Sequence, residues 1–257
     1  MTMIEFVGID GDDTLWHNEA LYQDVQSEMC DLLAELADEV TIRGTLDLVQ
    51  KHNIQLYGYG VKSLILSMIE TALKSTRYKV TANQIQEILS YGIDIINSPV
   101  KLLAGVRRAL IDLRERDCKV SLITKGDLYD QQRKIERSGL DSYFDHVEIV
   151  SDKNISVYLE ILNKRKVKPN RFLMVGNSLK SDILPVVELG GYAAHIPYHV
   201  TWCHEQVPVE QVPKNMYWQI SHLNQLTNII DLIANNPVID KYRRHPELRI
   251  NKKEINT

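Results

Sequence analysis

Met3-Ile4-Glu5-Phe6-Val7-Gly8-Ile9-Asp10-Gly11-Asp12-Asp13-Thr14 decides how this chain is read. Its apolar half is short, as in a buried strand, and it ends on two carboxylates two positions apart. In an open α/β sheet, ligands bind beyond the carboxyl ends of the strands, so Asp10 and Asp12 stand where such a fold does its chemistry. Asp13 and Thr14 read as residues that set the turn.

Three later apolar runs also end on groups able to bind or react. Val120-Ser121-Leu122-Ile123-Thr124 closes on a hydroxyl suited to a phosphate oxygen, and Lys125-Gly126-Asp127 forms the turn behind it. His146-Val147-Glu148-Ile149-Val150 leads to Ser151-Asp152-Lys153 and puts an ammonium at a strand end. Phe172-Leu173-Met174-Val175 runs into Gly176-Asn177-Ser178-Leu179-Lys180-Ser181-Asp182, which offers an amide and a carboxylate ahead of a helix.

In this order, the four segments resemble the haloacid dehalogenase-like superfamily of phosphohydrolases, from Ile4 to about Ser221. By motif, the resemblance implies Asp10 as nucleophile, Asp12 as acid/base, Thr124 as the phosphate-binding hydroxyl and Lys153 as the charge-neutralising lysine. Thr124, Lys125 and Lys153 are then the substrate-binding set. It also implies a magnesium ion held by the Asp10 carboxylate, the Asp12 carbonyl and the Asn177 to Asp182 loop. One position departs from the family pattern, which commonly has Asp where this chain has Asn177. Hard cations prefer carboxylate oxygens, so Asp182 is expected to supply the essential late charge. Asn177 is expected either to coordinate weakly or to orient Asp182 or a metal-bound water.

Strand and helix patterns alternate along most of the chain, as in a doubly wound parallel sheet with helices on both faces. The interruption lies between Asp10 and Lys119. There Leu21, Val25, Met29 and Leu32, then Val61, Leu64, Ile65 and Met68, then Ile85, Ile88 and Leu89 recur at helical spacing, with a shorter stripe at Ile42, Leu46 and Val49. Helices with no strand between them bury such stripes against each other, so residues 17–97 read as an inserted helical domain, a cap in terms of the resemblance. Residues 1–16 and 98–235 read as the α/β core and 236–257 as a polar tail. Ser98-Pro99 is expected to start the next core helix, and Ser178 or Ser181 to cap a later one, with Ser181 favoured because it puts Pro185 in the first turn. Trp16 and His17 read as hinge packing; Tyr57-Gly58-Tyr59-Gly60 reads either as a loop facing substrate or as a plain connector.

The net charge of -4 gives no drive toward nucleic acid or anionic membranes. Cys30, Cys118 and Cys203 are widely spaced with no zinc or redox motif, which suits free thiols in a reducing compartment, and with no leader or membrane-length apolar run the expected location is the cytoplasm. His195, His199 and His204 fit no ligand motif and read as structural. The function expected is a magnesium-dependent phosphatase acting on a small phosphorylated metabolite through an aspartyl phosphate. Alternatives on the same fold are a 2-haloacid dehalogenase, against which Asp12 counts, and a phosphonate hydrolase, which needs a cap lysine such as Lys51, Lys62, Lys74 or Lys79. A binding protein on a decayed scaffold is a third, supported by Asn177 alone.

Overall fold

The computed structural model describes residues 4–116, 118–200, 205 and 216–235. The tail at 236–257, Cys203, His204 and most of the Pro-containing segment at 197–214 therefore lie outside the described residues.

The chain opens with strand β1 (Phe6–Ile9) and then runs through α1 (Glu19–Leu33), α2 (Glu39–Tyr57), α3 (Val61–Ser75) and α4 (Ala82–Asn97). After α5 (Val106–Arg114) come β2 (Lys119–Lys125), α6 (Leu128–Ser138), β3 (His146–Val150), α7 (Ile155–Arg165) and β4 (Phe172–Gly176). A short α8 (Leu184–Glu188), β5 (Tyr192–His195), β6 (Tyr217–Gln219) and α9 (Leu226–Asn235) follow. The strands form one parallel sheet of six in the order β3-β2-β1-β4-β5-β6.

Strand periodicity divides the core between the two faces of the sheet. Val7 and Ile9 of β1 join Leu110 of α5, Ile135 of α6 and Ile230 of α9, whereas Phe6 joins Tyr158 of α7, Phe172 and Val186. Gly8 has no room for more, because a Cβ there would stand 2.8 Å from Ile123 and 2.9 Å from Met174.

Helices α1 to α4 bury their stripes in a cluster of their own, including Met29, Ile42, Leu46, Met68 and Ile88. Asp38 caps α2 by accepting from the Thr41 N–H, and Thr81 with Gln84 forms a capping box on α4. Two extended segments join this insert to the sheet side by side: His17 N–H donates to the Lys101 carbonyl at 3.0 Å and Leu103 N–H to the Leu15 carbonyl at 2.9 Å.

Two sequence expectations are corrected. Ser98 and Pro99 do not start a helix; Ser98 closes α4, and α5 begins at Val106 behind Gly105. Proline disfavours a helical conformation in the residue before it, so the chain stays extended past Pro99 and pairs Leu102 with Trp16. Ser178, not Ser181, is the cap after β4: its hydroxyl accepts from the Ser181 N–H at 3.0 Å, ahead of a π-turn (Leu179–Ile183) that leads into α8. Pro185 does fall in the first turn of α8.

Candidate active site

The winding of the sheet reverses around β1, which pairs with β2 on one side and β4 on the other, leaving a crevice beyond their carboxyl ends. Asp10 lies directly past β1 and is 6% exposed. Its carboxylate accepts from the Thr14 hydroxyl at 2.9 Å and from Lys153 Nζ at 2.5 Å. Lys153, in the loop after β3, also donates to Asp182 at 2.7 Å. One buried ammonium thus stands between two buried carboxylates. Burial raises the Asp10 pKa to about 7; Lys153 opposes that shift and Asp182 reinforces it. Burial also works against the charge on Lys153, but the two carboxylates outweigh it and hold the amine above its ordinary range.

Asp182 is placed by the loop after β4. The Ser178 N–H donates to its second oxygen at 3.0 Å, and the carboxylate lies so close across Gly176 that a Cβ there would meet it at 2.1 Å. Among the described residues the Asn177 amide has a long contact with Thr14, at 3.5 Å, while its carbonyl is bonded at 2.9 Å to Nε2 of His195, a buried imidazole whose pKa burial lowers. His195 is thus a brace for this loop. At the end of β2, the Thr124 hydroxyl is buried with no hydrogen-bond partner among the described residues. A buried donor left in this way is what an absent ligand oxygen would satisfy.

Asp12 points to the other side of the crevice. It accepts from Trp16 Nε1 at 2.6 Å, Gln131 Nε2 at 2.8 Å and Lys134 Nζ at 3.1 Å. Lys134 also donates to Asn18 at 2.7 Å and pairs with Asp130; burial opposes its charge, but Asp12 leads the groups that raise its pKa. Lys125 pairs with Glu205 at 2.6 Å and lies 4.0 Å from the ring centre of Tyr59. Glu205 also accepts from the hydroxyls of Ser178 and Ser181. Sequence reasoning missed Gln131, Lys134 and Glu205. The first two sit on α6, whose capping Asp127 was the one readable signal, and Glu205 had none.

All seven site residues expected from the sequence line one cavity of about 170 Å³, and its opposite wall comes from α1, α2 and α3. Tyr59 and Gly60 line it too, which puts the loop before α3 at the cavity. None of Lys51, Lys62, Lys74 and Lys79 does; Lys62 pairs with Asp127 and Lys74 with Glu70. Asp13 turns back to accept from the N–H groups of Asn18 and Glu19, and Trp16 is buried, as turn and hinge residues should be.

Residues 4–190 match the sequence profile of the haloacid dehalogenase-like hydrolases. This chain belongs to that family. A crystal structure of a haloacid dehalogenase-like family hydrolase from Xanthomonas campestris is 34% identical, with a TM-score of 0.80 over 90% of this chain and 94% of the other. A glyceraldehyde 3-phosphate phosphatase of Methanothermobacter thermautotrophicus is 34% identical over 87 residues, which are 32% of this chain and 38% of that one. The human N-acylneuraminate-9-phosphatase is 30% identical over 139 residues, 51% of this chain and 53% of the relative. The chain thus spans about half or less of the length of these curated relatives.

The donor set of this haloacid dehalogenase-like hydrolase suits a hard divalent cation. Asp10, Asp182 and the Asn177 amide bring oxygen donors to one crevice, and two buried carboxylates there share a single lysine. That leaves a surplus negative charge in a buried site, for which a bound cation is the natural counterion.

Proposed function

We propose that the chain is a magnesium-dependent phosphatase that hydrolyses a small phosphorylated metabolite through an aspartyl phosphate on Asp10. The observation that carries the reading is the buried Asp10 carboxylate held between Thr14 and Lys153 at the floor of the cavity, with the Thr124 hydroxyl, which has no partner among the described residues, lining the same space. Curated phosphatases among the relatives support it.

Attack by an Asp10 oxygen on phosphorus forms the aspartyl phosphate and breaks the ester P–O bond, with Asp12 giving its proton to the leaving alcohol. Water then loses a proton to Asp12 and attacks phosphorus; the bond to Asp10 breaks and phosphate leaves. Lys153 screens the phosphoryl charge, and Thr124 with Lys125 helps to hold its oxygens. Asp10, Asp182, Asn177 and the Asp12 carbonyl would hold the magnesium, whose charge lowers the repulsion between carboxylate and phosphate. As it stands, Asp12 accepts from three donors, so its acid role requires it to turn from Lys134 toward the leaving group. The helical insert acts as a cap: with its wall in place the cavity has room for roughly a dozen waters, a small ligand rather than a macromolecule.

Phosphate release from an alkyl and an aryl phosphate, with and without magnesium, tests this. The wild type should hydrolyse both only with the metal, Asp10→Asn neither, and Asp12→Asn the aryl ester far better than the alkyl one, because an activated phenol needs little protonation. Full activity in a chelator, or turnover by Asp10→Asn, would remove the reading.

A further inference from the structure

The composition of the cavity wall names the chemical class of the leaving group. Among the described residues, six carboxylates and two ammonium groups line the cavity, and both cations already have partners on the core side: Lys153 with Asp10 and Asp182, Lys125 with Glu205. The insert's share of the wall has no lysine, arginine or histidine among the described residues. Its polar side chains include Glu19, Tyr22 and Gln26 from α1, Gln50 from α2, and Ser63 and Ser67 from α3, beside the apolar Ile54 and Leu64. Glu19 and Gln26 are themselves buried.

A second phosphate or a carboxylate on the substrate would lie against amides, hydroxyls and the Glu19 carboxylate with no counter-charge from the insert, and burying an anion in that way is costly. A hydroxyl both donates and accepts, as do the amides and hydroxyls of this wall, so an alcohol rich in hydroxyls can satisfy them and be satisfied. Resting on the phosphatase reading above, we infer that the substrate is the phosphate monoester of an uncharged polyhydroxylated alcohol, a sugar or polyol, and that Glu19 excludes anionic leaving groups while Gln26 binds a hydroxyl.

The test compares kcat/KM, with magnesium present, for a hexitol monophosphate, the hexonate monophosphate of the same length and a hexitol bisphosphate, with an aryl phosphate as activity control. The hexitol monophosphate should exceed both anionic esters by about tenfold or more. Glu19→Gln should narrow the gap to the hexonate by about tenfold. Gln26→Leu should lower the hexitol value about threefold to tenfold relative to the aryl ester. An anionic ester that matches or exceeds the hexitol ester, or a Glu19→Gln ratio unchanged in a folded variant, overturns the inference while leaving the phosphatase reading standing. Failure to hydrolyse any of the four esters overturns that reading, and the inference with it.

Discussion

In the proposed metal site, Asp182 and Asn177 would divide between them a task that the family resemblance implies for an Asp at the position of Asn177. Asp182 brings a full charge, buried and fixed by Lys153 and the Ser178 N–H; Asn177 brings an amide whose backbone is braced by His195. An amide oxygen adds no charge against a divalent ion. In a calorimetric magnesium titration, Asp182→Asn should therefore weaken binding at least tenfold, whereas Asn177→Asp should bind as tightly as the wild type or tighter. Wild-type affinity in Asp182→Asn would contradict this division. These residues were legible because both lie in the segment that follows a short apolar run, where position along the chain fixes position in the crevice. Glu205 was not, since it meets Lys125 across 80 residues and no local pattern records such a pairing.

Helix α6 was the element least visible in the sequence and the one that places the most unexpected groups. Leu128–Ser138 is charged and polar along most of its length, with Ile135 its apolar contribution to the core, so the periodic signal is thin. The helix is fixed instead by Asp127 at its N-cap and Gly139 at its C-terminus, and it carries Gln131 and Lys134 to Asp12. The expectation at Ser98-Pro99 failed for the opposite reason: a good capping pair stood there, but paired linkers took the backbone. Replacing Lys134 leaves Asp12, Asp130 and Asn18 around a lost cation. Lys134→Met should thus cost on the order of 3 kcal/mol in denaturant unfolding. It should also reduce turnover of an alkyl phosphate more than that of an aryl phosphate, as expected if Lys134 positions the acid. Unchanged stability together with an unchanged alkyl-to-aryl ratio would show α6 to be a bystander.

Two bodies of packing, the sheet with its helices and the insert with its own buried cluster, meet across the cavity and are joined by the paired linkers at 14–18 and 98–103. Lys62 to Asp127, Tyr59 over Lys125 and Arg137 to the Ile96 carbonyl are among the polar clasps between them, and Lys62 is itself exposed. A site that admits substrate and then excludes water requires motion, and such clasps are weak enough to release. Hydrogen exchange should show faster exchange at the linkers than within β1 or β4, and slower exchange there when a phosphate analogue and magnesium are bound; equal protection in both states would argue against gating. The separate buried cluster of α1 to α4 was legible because their stripes had no strand between them to pack on, whereas the clasps depend on how the two surfaces meet. The claim on which all of this turns is that Asp10 carries the phosphoryl group. The most direct measurement is peptide mass spectrometry after rapid acid quench of the enzyme turning over a phosphate monoester with magnesium. A single phosphoryl group on the peptide containing Asp10, absent from Asp10→Asn, is the expected result; steady turnover with that peptide unmodified at every quench time would contradict it.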